Sequence, residues 1–188
     1  MSDDLSAIAR AELLDADTVG AAGARRFRLF ARSGRTTAVM WVEREHFERL
    51  SLAIDRLLAR LTSGKVLRSE ASAEVVAPPG PPPDFPDSPQ IEFQVAGMQM
   101  GYDVERRLVL LRASPLVIEE DDDEELTVRE DVEPLFSAFI SLAQAQRLSE
   151  HMVAALASGR PRCPYCGAPM ESPHLCPKSN GYHPVNVN

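Results

Sequence analysis

The sequence is short of cysteine, of lysine and of long apolar runs, and each shortage excludes something. Its 188 residues include three cysteines, Cys163, Cys166 and Cys176, all within fourteen positions. An odd number clustered so tightly argues against a disulfide framework. No stretch approaches the ~20 apolar residues of a membrane helix. The opening MSDDLSAIARAELL is acidic where a secretory leader is basic, and it lacks a long apolar centre. These features predict a cytoplasmic protein with no membrane association. Lysine occurs twice against eighteen arginines, and no long basic block is present. Nucleic acid is disfavoured as a partner, because that role needs a net basic surface.

Catalytic signatures are missing too. There is no Gly-x-Ser-x-Gly, no phosphate-cradling glycine loop and no His-Glu-x-x-His. The net charge is −8, but seven acids form one run, residues 119–125, and the rest of the chain sits near −1. Such a run reads as a solvated, self-repelling loop; docking on a basic partner is the sharper alternative.

What is present suits a soluble globular domain with a small appendage: 44% hydrophobic and 26% charged residues. Residues 15–42 read as β structure. Phe27, Leu29 and Ala31 alternate on one face, Ser33-Gly34 supplies a turn, and TTAVMWV is β-branched and aromatic. From residue 44 to 61 the period changes. Phe47, Leu50, Ile54, Leu57, Leu58 and Leu61 fall on one side and charges on the other, which predicts an amphipathic helix. Residues 65–90 hold seven of the fifteen prolines and read as a linker or long excursion. Residues 91–102 return to strand, with a bulge expected at Gly97 and Met98 and Met100 read as core packing. A hairpin turn at 103–106 leads to a return strand over 107–118. A third strand is expected over 135–142 and a second helix over 143–158.

Two segments look alike at an offset of 98. VMWV precedes a helix carrying Arg49-Leu50-Ser51, and SAFI precedes one carrying Arg147-Leu148-Ser149. This suggests a strand-strand-helix pseudo-repeat. The predicted fold is α+β: an antiparallel sheet with two long helices on one face, occupying residues 1–158. Within it lie the proline-rich excursion, 65–90, and an acidic loop, 119–133. A zinc knuckle follows over 159–188.

The C-terminal segment carries the clearest chemistry. Cys163 and Cys166 are spaced so that a tight turn brings both thiolates onto one ion, and Gly167 frees the backbone to turn amides toward the sulfurs. His174 and Cys176 are two apart, on one side of an extended segment. Three sulfurs and one imidazole make a common shell for structural tetrahedral zinc. His183 is the alternative fourth ligand. A redox Cys-x-x-Cys fits less well, because proline and glycine surround the pair and no helix pattern follows. Elsewhere, His46 and His151 sit in helical patterns and read as surface or boundary residues, with an acid–base role as the alternative. Asp15 and Asp17 read as capping or loop residues, with a catalytic pair as the alternative.

At these residues the chain resembles a known family. CPYCGAPMESPHLCPKSNGY resembles the C-terminal signature CPxCGxPxxPxGHxCPRxNGY of bacterial domain-of-unknown-function family 3090, and TVGAAGARRFRLFAR resembles its TVGxxGxRxFxLxAR opening. Pro173 stands where the family often has Gly, and Lys178 where it often has Arg; neither is a ligand. The resemblance implies the zinc ligands and a cytoplasmic bacterial setting, and it implies no reaction. It also implies a link to phosphatase-like and kinase-like neighbours. The residues and the resemblance together predict a zinc-stabilised adaptor that binds another protein without catalysis. The alternative is an enzyme or binding protein for a phosphorylated small molecule or nucleotide, with its site in the α+β domain.

Overall fold

The computed structural model describes residues 9–21, 24–61, 80–120, 126–129 and 132–157. In chain order the elements are β1 (Ala9–Arg10), β2 (Leu13–Val19), β3 (Arg26–Ser33), β4 (Thr36–Val42), α1 (Arg44–Leu61), β5 (Ile91–Asp103), β6 (Leu108–Pro115), β7 (Ile118–Glu120), β8 (Leu126–Val128), β9 (Phe136–Ser141) and α2 (Leu142–Ala157). None of the described helices is long and apolar enough to cross a membrane.

The class is α+β, but the sheet is mixed rather than antiparallel. Seven strands run in the order β1-β9-β6-β5-β4-β3-β2, with β7 and β8 forming a separate pair. Within β2-β3-β4 and within β5-β6-β9 every ladder is antiparallel, whereas β4 pairs β5 in parallel and β1 pairs β9 in parallel. The connection explains the first exception. A hairpin reverses direction, but α1 and the proline-rich stretch carry the chain back to its starting end before β5 begins. The second exception arises because the first strand and the last pair across nearly the whole chain.

Three strands and a helix therefore occur twice, as β2-β3-β4-α1 and β5-β6-β9-α2. The first strand joins the two ends of the sheet. Ala11 N–H donates to the Phe139 carbonyl and Glu12 N–H to the Arg32 carbonyl, each at 2.9 Å. Successive residues thus serve opposite edges.

Alternation decides which side of each strand meets the helices. Leu14, Ala16, Leu29, Met40, Val109, Leu111 and Ile140 share one buried cluster with Phe47, Leu50 and Ile54 of α1 and Leu148 and Met152 of α2. The expected bulge lies between Val95 and Gly97, after which Met98, Met100 and Tyr102 pack against the same cluster. Gly34, at φ 58°, makes the β3–β4 turn that bulkier residues resist. The helices meet at small side chains. Ser149 Oγ donates to Asp55 Oδ1 at 2.7 Å and to the Ser51 carbonyl at 3.3 Å. Ser51 and Ser149 are the serines 98 positions apart in the repeated pattern.

Both helix starts follow from sequence. Glu45 in the first turn of α1 and Arg60 in its last suit the helix dipole. At α2, Ser141 Oγ accepts the Gln144 N–H at 3.2 Å while Gln144 Oε1 accepts the Ser141 N–H at 2.9 Å, a reciprocal capping box. Gln144 Nε2 also donates to the carbonyls of Ala11 and Glu12, at 3.0 and 3.2 Å.

Residues 80–90 of the proline-rich excursion lie as a strap on the other side of β2-β3-β4. Phe85 meets the Phe30 ring edge-on at 5.8 Å. Gln90 Oε1 accepts from the Thr37 N–H at 2.6 Å and the Thr37 hydroxyl at 2.8 Å. Arg32 Nη1 donates to Asp84 Oδ2 at 2.6 Å. The acidic stretch does not run as one loop, because β7 and β8 pair on either side of residues 121–125, with Ile118 opposite Val128.

Two outcomes test this architecture. Gln144→Ala removes both the cap and the bonds to Ala11 and Glu12, and should cost about 1–3 kcal/mol in urea denaturation. Unchanged stability would mean that the first strand is not held there. The Arg32 hydrogen bond holds the Asp84 carboxyl below its usual range. A lowered folded value means that the pair's stabilisation is complete above an ordinary aspartate value of about 3.9 and is lost as pH falls through the lower folded one. An NMR titration should show the Phe85 ring resonances shifting over that window, and Asp84→Asn should abolish the pH dependence. Identical titrations in both proteins would show that the pair does not anchor the strap.

Candidate functional site

Aspartate is unfavourable in strands, and a buried carboxylate is costly unless paired. β2 nonetheless carries two. Asp15 is 5% exposed and Asp17 is 6% exposed, both facing away from the shared core. They are therefore neither loop residues nor caps, as the sequence suggested, because the strand begins at Leu13, earlier than residue 15.

Their partners come from different directions. The β2–β3 register sets Asp17 opposite Arg28. The guanidinium grips both carboxylate oxygens, Nε to Oδ1 at 2.9 Å and Nη2 to Oδ2 at 2.6 Å. This fork matches the planar geometry of arginine and carboxylate. Asp15 faces Phe30 across the ladder, which offers no hydrogen bond. Its partner comes instead from α2, where His151 Nδ1 lies 2.6 Å from Asp15 Oδ1. Arg147, one turn earlier on that helix, brings Nε to 3.9 Å from Oδ2.

The neighbouring side chains extend this face. Arg26 stacks 4.0 Å over the Trp41 ring, and Trp41 Nε1 donates to Glu92 at 2.8 Å. The strap passes over Asp17 at Gly80, where an added Cβ would sit 3.4 Å from Asp17 Oδ2. Gly80 is also at φ 68°, so a side chain there is strained as well as crowded.

The arrangement has definite chemical capacity. When His151 is neutral and Nδ1 donates to Asp15, Nε2 carries the lone pair and the ring is held in one orientation. That is how a carboxylate positions a general base. When His151 is protonated, the pair is a part-buried ion pair joining β2 to α2. Arg147 adds positive charge beside Asp15, while the Arg28 guanidinium is committed to Asp17.

The sequence-predicted residues fare differently. Asp15 and His151 come together across 136 positions, and Asp17 joins Arg28 instead of Asp15. His46 stands apart on α1, its Nδ1 buried with no hydrogen-bond partner among the described residues. Arg28 and Arg147 were not singled out in the sequence; the alternation of Asp15 and Asp17 with Leu14 and Ala16 was the available signal. Cys163, Cys166, His174 and Cys176, with the alternative His183, lie outside the described residues. Among the described residues no group of three or more His, Cys, Asp or Glu side chains could hold a metal.

The family model for protein of unknown function DUF3090 matches residues 8–176, most of the 188, and the chain belongs to that family. No curated protein and no solved structure matches it.

Arg28→Ala leaves the Asp17 carboxylate buried without its fork and should destabilise by roughly 2–4 kcal/mol. Combining it with Asp17→Ala should cost clearly less than the sum of the two single changes. Urea denaturation of the four proteins completes the cycle. Strictly additive costs would show that the two residues do not support one another.

Proposed function

We propose that this DUF3090 chain is a zinc-stabilised, non-catalytic protein that engages another protein in the cytoplasm. The observation that carries this reading is the donor set Cys163, Cys166, His174 and Cys176, whose last member ends the span that the family model matches. Three thiolates and one imidazole complete a tetrahedral shell and leave no open position for substrate, which is the composition of a structural site. Cysteines held outside disulfides also suit a reducing compartment. On this reading residues 1–158 form the α+β body and 159–188 a small module. The module's large apolar side chains, chiefly Tyr165, Met170, Leu175 and Tyr182, are too few for a core of their own. Zinc in such modules supplies roughly 10–16 kcal/mol of apparent binding free energy, which becomes folding free energy.

A second reading is favoured by one specific observation, the Asp15–His151 pair with Arg147 beside it. A positioned imidazole with an arginine beside its carboxylate partner suits a phosphorylated small molecule or nucleotide, since guanidinium groups recognise phosphate oxygens. Native purification with mass spectrometry of proteins and small molecules separates the two readings. A stoichiometric protein partner, retained by His151→Ala, supports the adaptor. A phosphorylated metabolite lost on His151→Ala or Arg147→Ala supports the ligand-handling protein.

Metal analysis should find one zinc per chain. Cys166→Ser should abolish it, because a hydroxyl is a poor substitute for a thiolate. His174→Ala should be milder, since water or His183 can take the position. Chelation should raise hydrogen exchange over residues 159–188 while α1 and α2 stay protected. A metal-free protein whose C-terminal amides remain protected would sink the zinc assignment. Equal zinc loss in His183→Ala and His174→Ala would move the fourth ligand.

A further inference from the structure

The two β-β-β-α units differ in what covers their outer faces. In the first unit Phe30 is 1% exposed and Val39 is 5% exposed, although both lie outside the shared core; Phe85 of the strap sits against Phe30. In the second unit the residues on the corresponding face are Leu108, Leu110 and Arg112 of β6 and Ser137 and Phe139 of β9. Leu110 lies opposite Phe139 and Arg112 opposite Ser137. Leu108, Leu110 and Phe139 are also outside the shared core, yet they remain partly exposed. Arg106 reaches 5.9 Å from the Phe139 ring, and the Ser137 hydroxyl is buried with no hydrogen-bond partner among the described residues.

The strap belongs to the chain that follows α1. The chain that follows α2 is residues 158–188, beginning directly after Ala157. These two post-helix stretches share a composition found nowhere else in the sequence. Residues 62–90 hold seven prolines and residues 158–188 hold six, thirteen of the fifteen. Reach is no obstacle, because 31 residues can extend to about 100 Å. The stretch after α2 has apolar side chains but too few to bury one another, and the second unit has an apolar face left partly open.

We propose that residues 158–188 dock on the outer face of β6 and β9, over Leu108, Leu110 and Phe139, as residues 80–90 dock on the face of the first unit. The repeat makes the faces equivalent but not the contact points: the strap crosses Phe30, whose counterpart is Arg112, whereas the open apolar positions of the second unit, Leu110 and Phe139, are the counterparts of Arg28 and Trp41 on the same face. This docking rests on apolar contact and does not require the zinc assignment.

The test uses the full chain with Leu110 replaced by p-benzoylphenylalanine, a photo-crosslinker, at a position outside the core. Irradiation and peptide mapping should join position 110 to residues 158–188 within one chain. Crosslinks between two chains, crosslinks confined to residues 116–135, or none at all would overturn the proposal. Leu110→Glu with Phe139→Glu provides the second arm. Hydrogen exchange over residues 158–188 should accelerate at least tenfold while α1 and α2 are unaffected; unchanged exchange there would also overturn it. Zinc content is measured on every sample. Zinc bound without crosslinks defeats the docking and leaves the metal assignment standing, whereas crosslinks in a zinc-free chain support the docking and defeat the metal assignment.

Discussion

The rest of the structure depends on the change of partner between Ala11 and Glu12. One residue donates to the strand that ends the second unit and the next donates to the middle strand of the first. A strand with both edges satisfied in this way leaves neither end of the sheet with a free ladder where it pairs, which removes a hazard that open sheets must manage by other means. The arrangement constrains α2 as well. Gln144 reaches the carbonyls of Ala11 and Glu12, and His151, about two turns later, reaches Asp15. The last described helix therefore fixes the chain from Ala11 to Asp15, where β1 passes into β2, at two points.

Electrostatics on β2 work under the same constraint. A strand that buries Leu14 and Ala16 on one side must place Asp15 and Asp17 on the other. Each carboxylate then needs a partner, and the two solutions differ in kind. Arg28 is supplied locally by register and forms a geometrically specific fork. His151 is supplied by tertiary packing and brings an imidazole nitrogen rather than a guanidinium fork. This division makes Asp15–His151, rather than Asp17–Arg28, the place where proton chemistry is available.

Local features were legible in the sequence because short-range physics decides them. The apolar spacing of Phe47, Leu50, Ile54 and Leu58 dictates α1 to its ends, and the change of face at Gly97 marks the bulge. Strand direction was less legible. Nothing in β5 itself says that it runs parallel to β4; that depends on the path of the 48 residues between them. β1 is two residues long and has no periodicity to read. The partnership of Asp15 and His151 spans 136 positions, so no spacing rule reaches it. The capping box Ser141-x-x-Gln144 was readable in principle, but its side role in holding the first strand was not, because that role belongs to the closed sheet.

Comparing the two units shows which features belong to the scaffold and which do not. The offset of 98 matches Trp41 with Phe139, and both rings carry an arginine nearby, Arg26 at 4.0 Å and Arg106 at 5.9 Å. It also matches Ser51 with Ser149, which touch where the helices cross. Following the registers outward, Phe30 corresponds to Arg112, Asp15 to Gln99, Asp17 to Gly101 and Arg28 to Leu110. The acidic and basic cluster thus occurs in one unit only, and the same strands fold in the other unit without it. A sheet of this shape does not require buried carboxylates at those positions. Their presence costs desolvation that Gln99 and Gly101 avoid. The side chains that the fold could do without are the ones that give this face its chemistry.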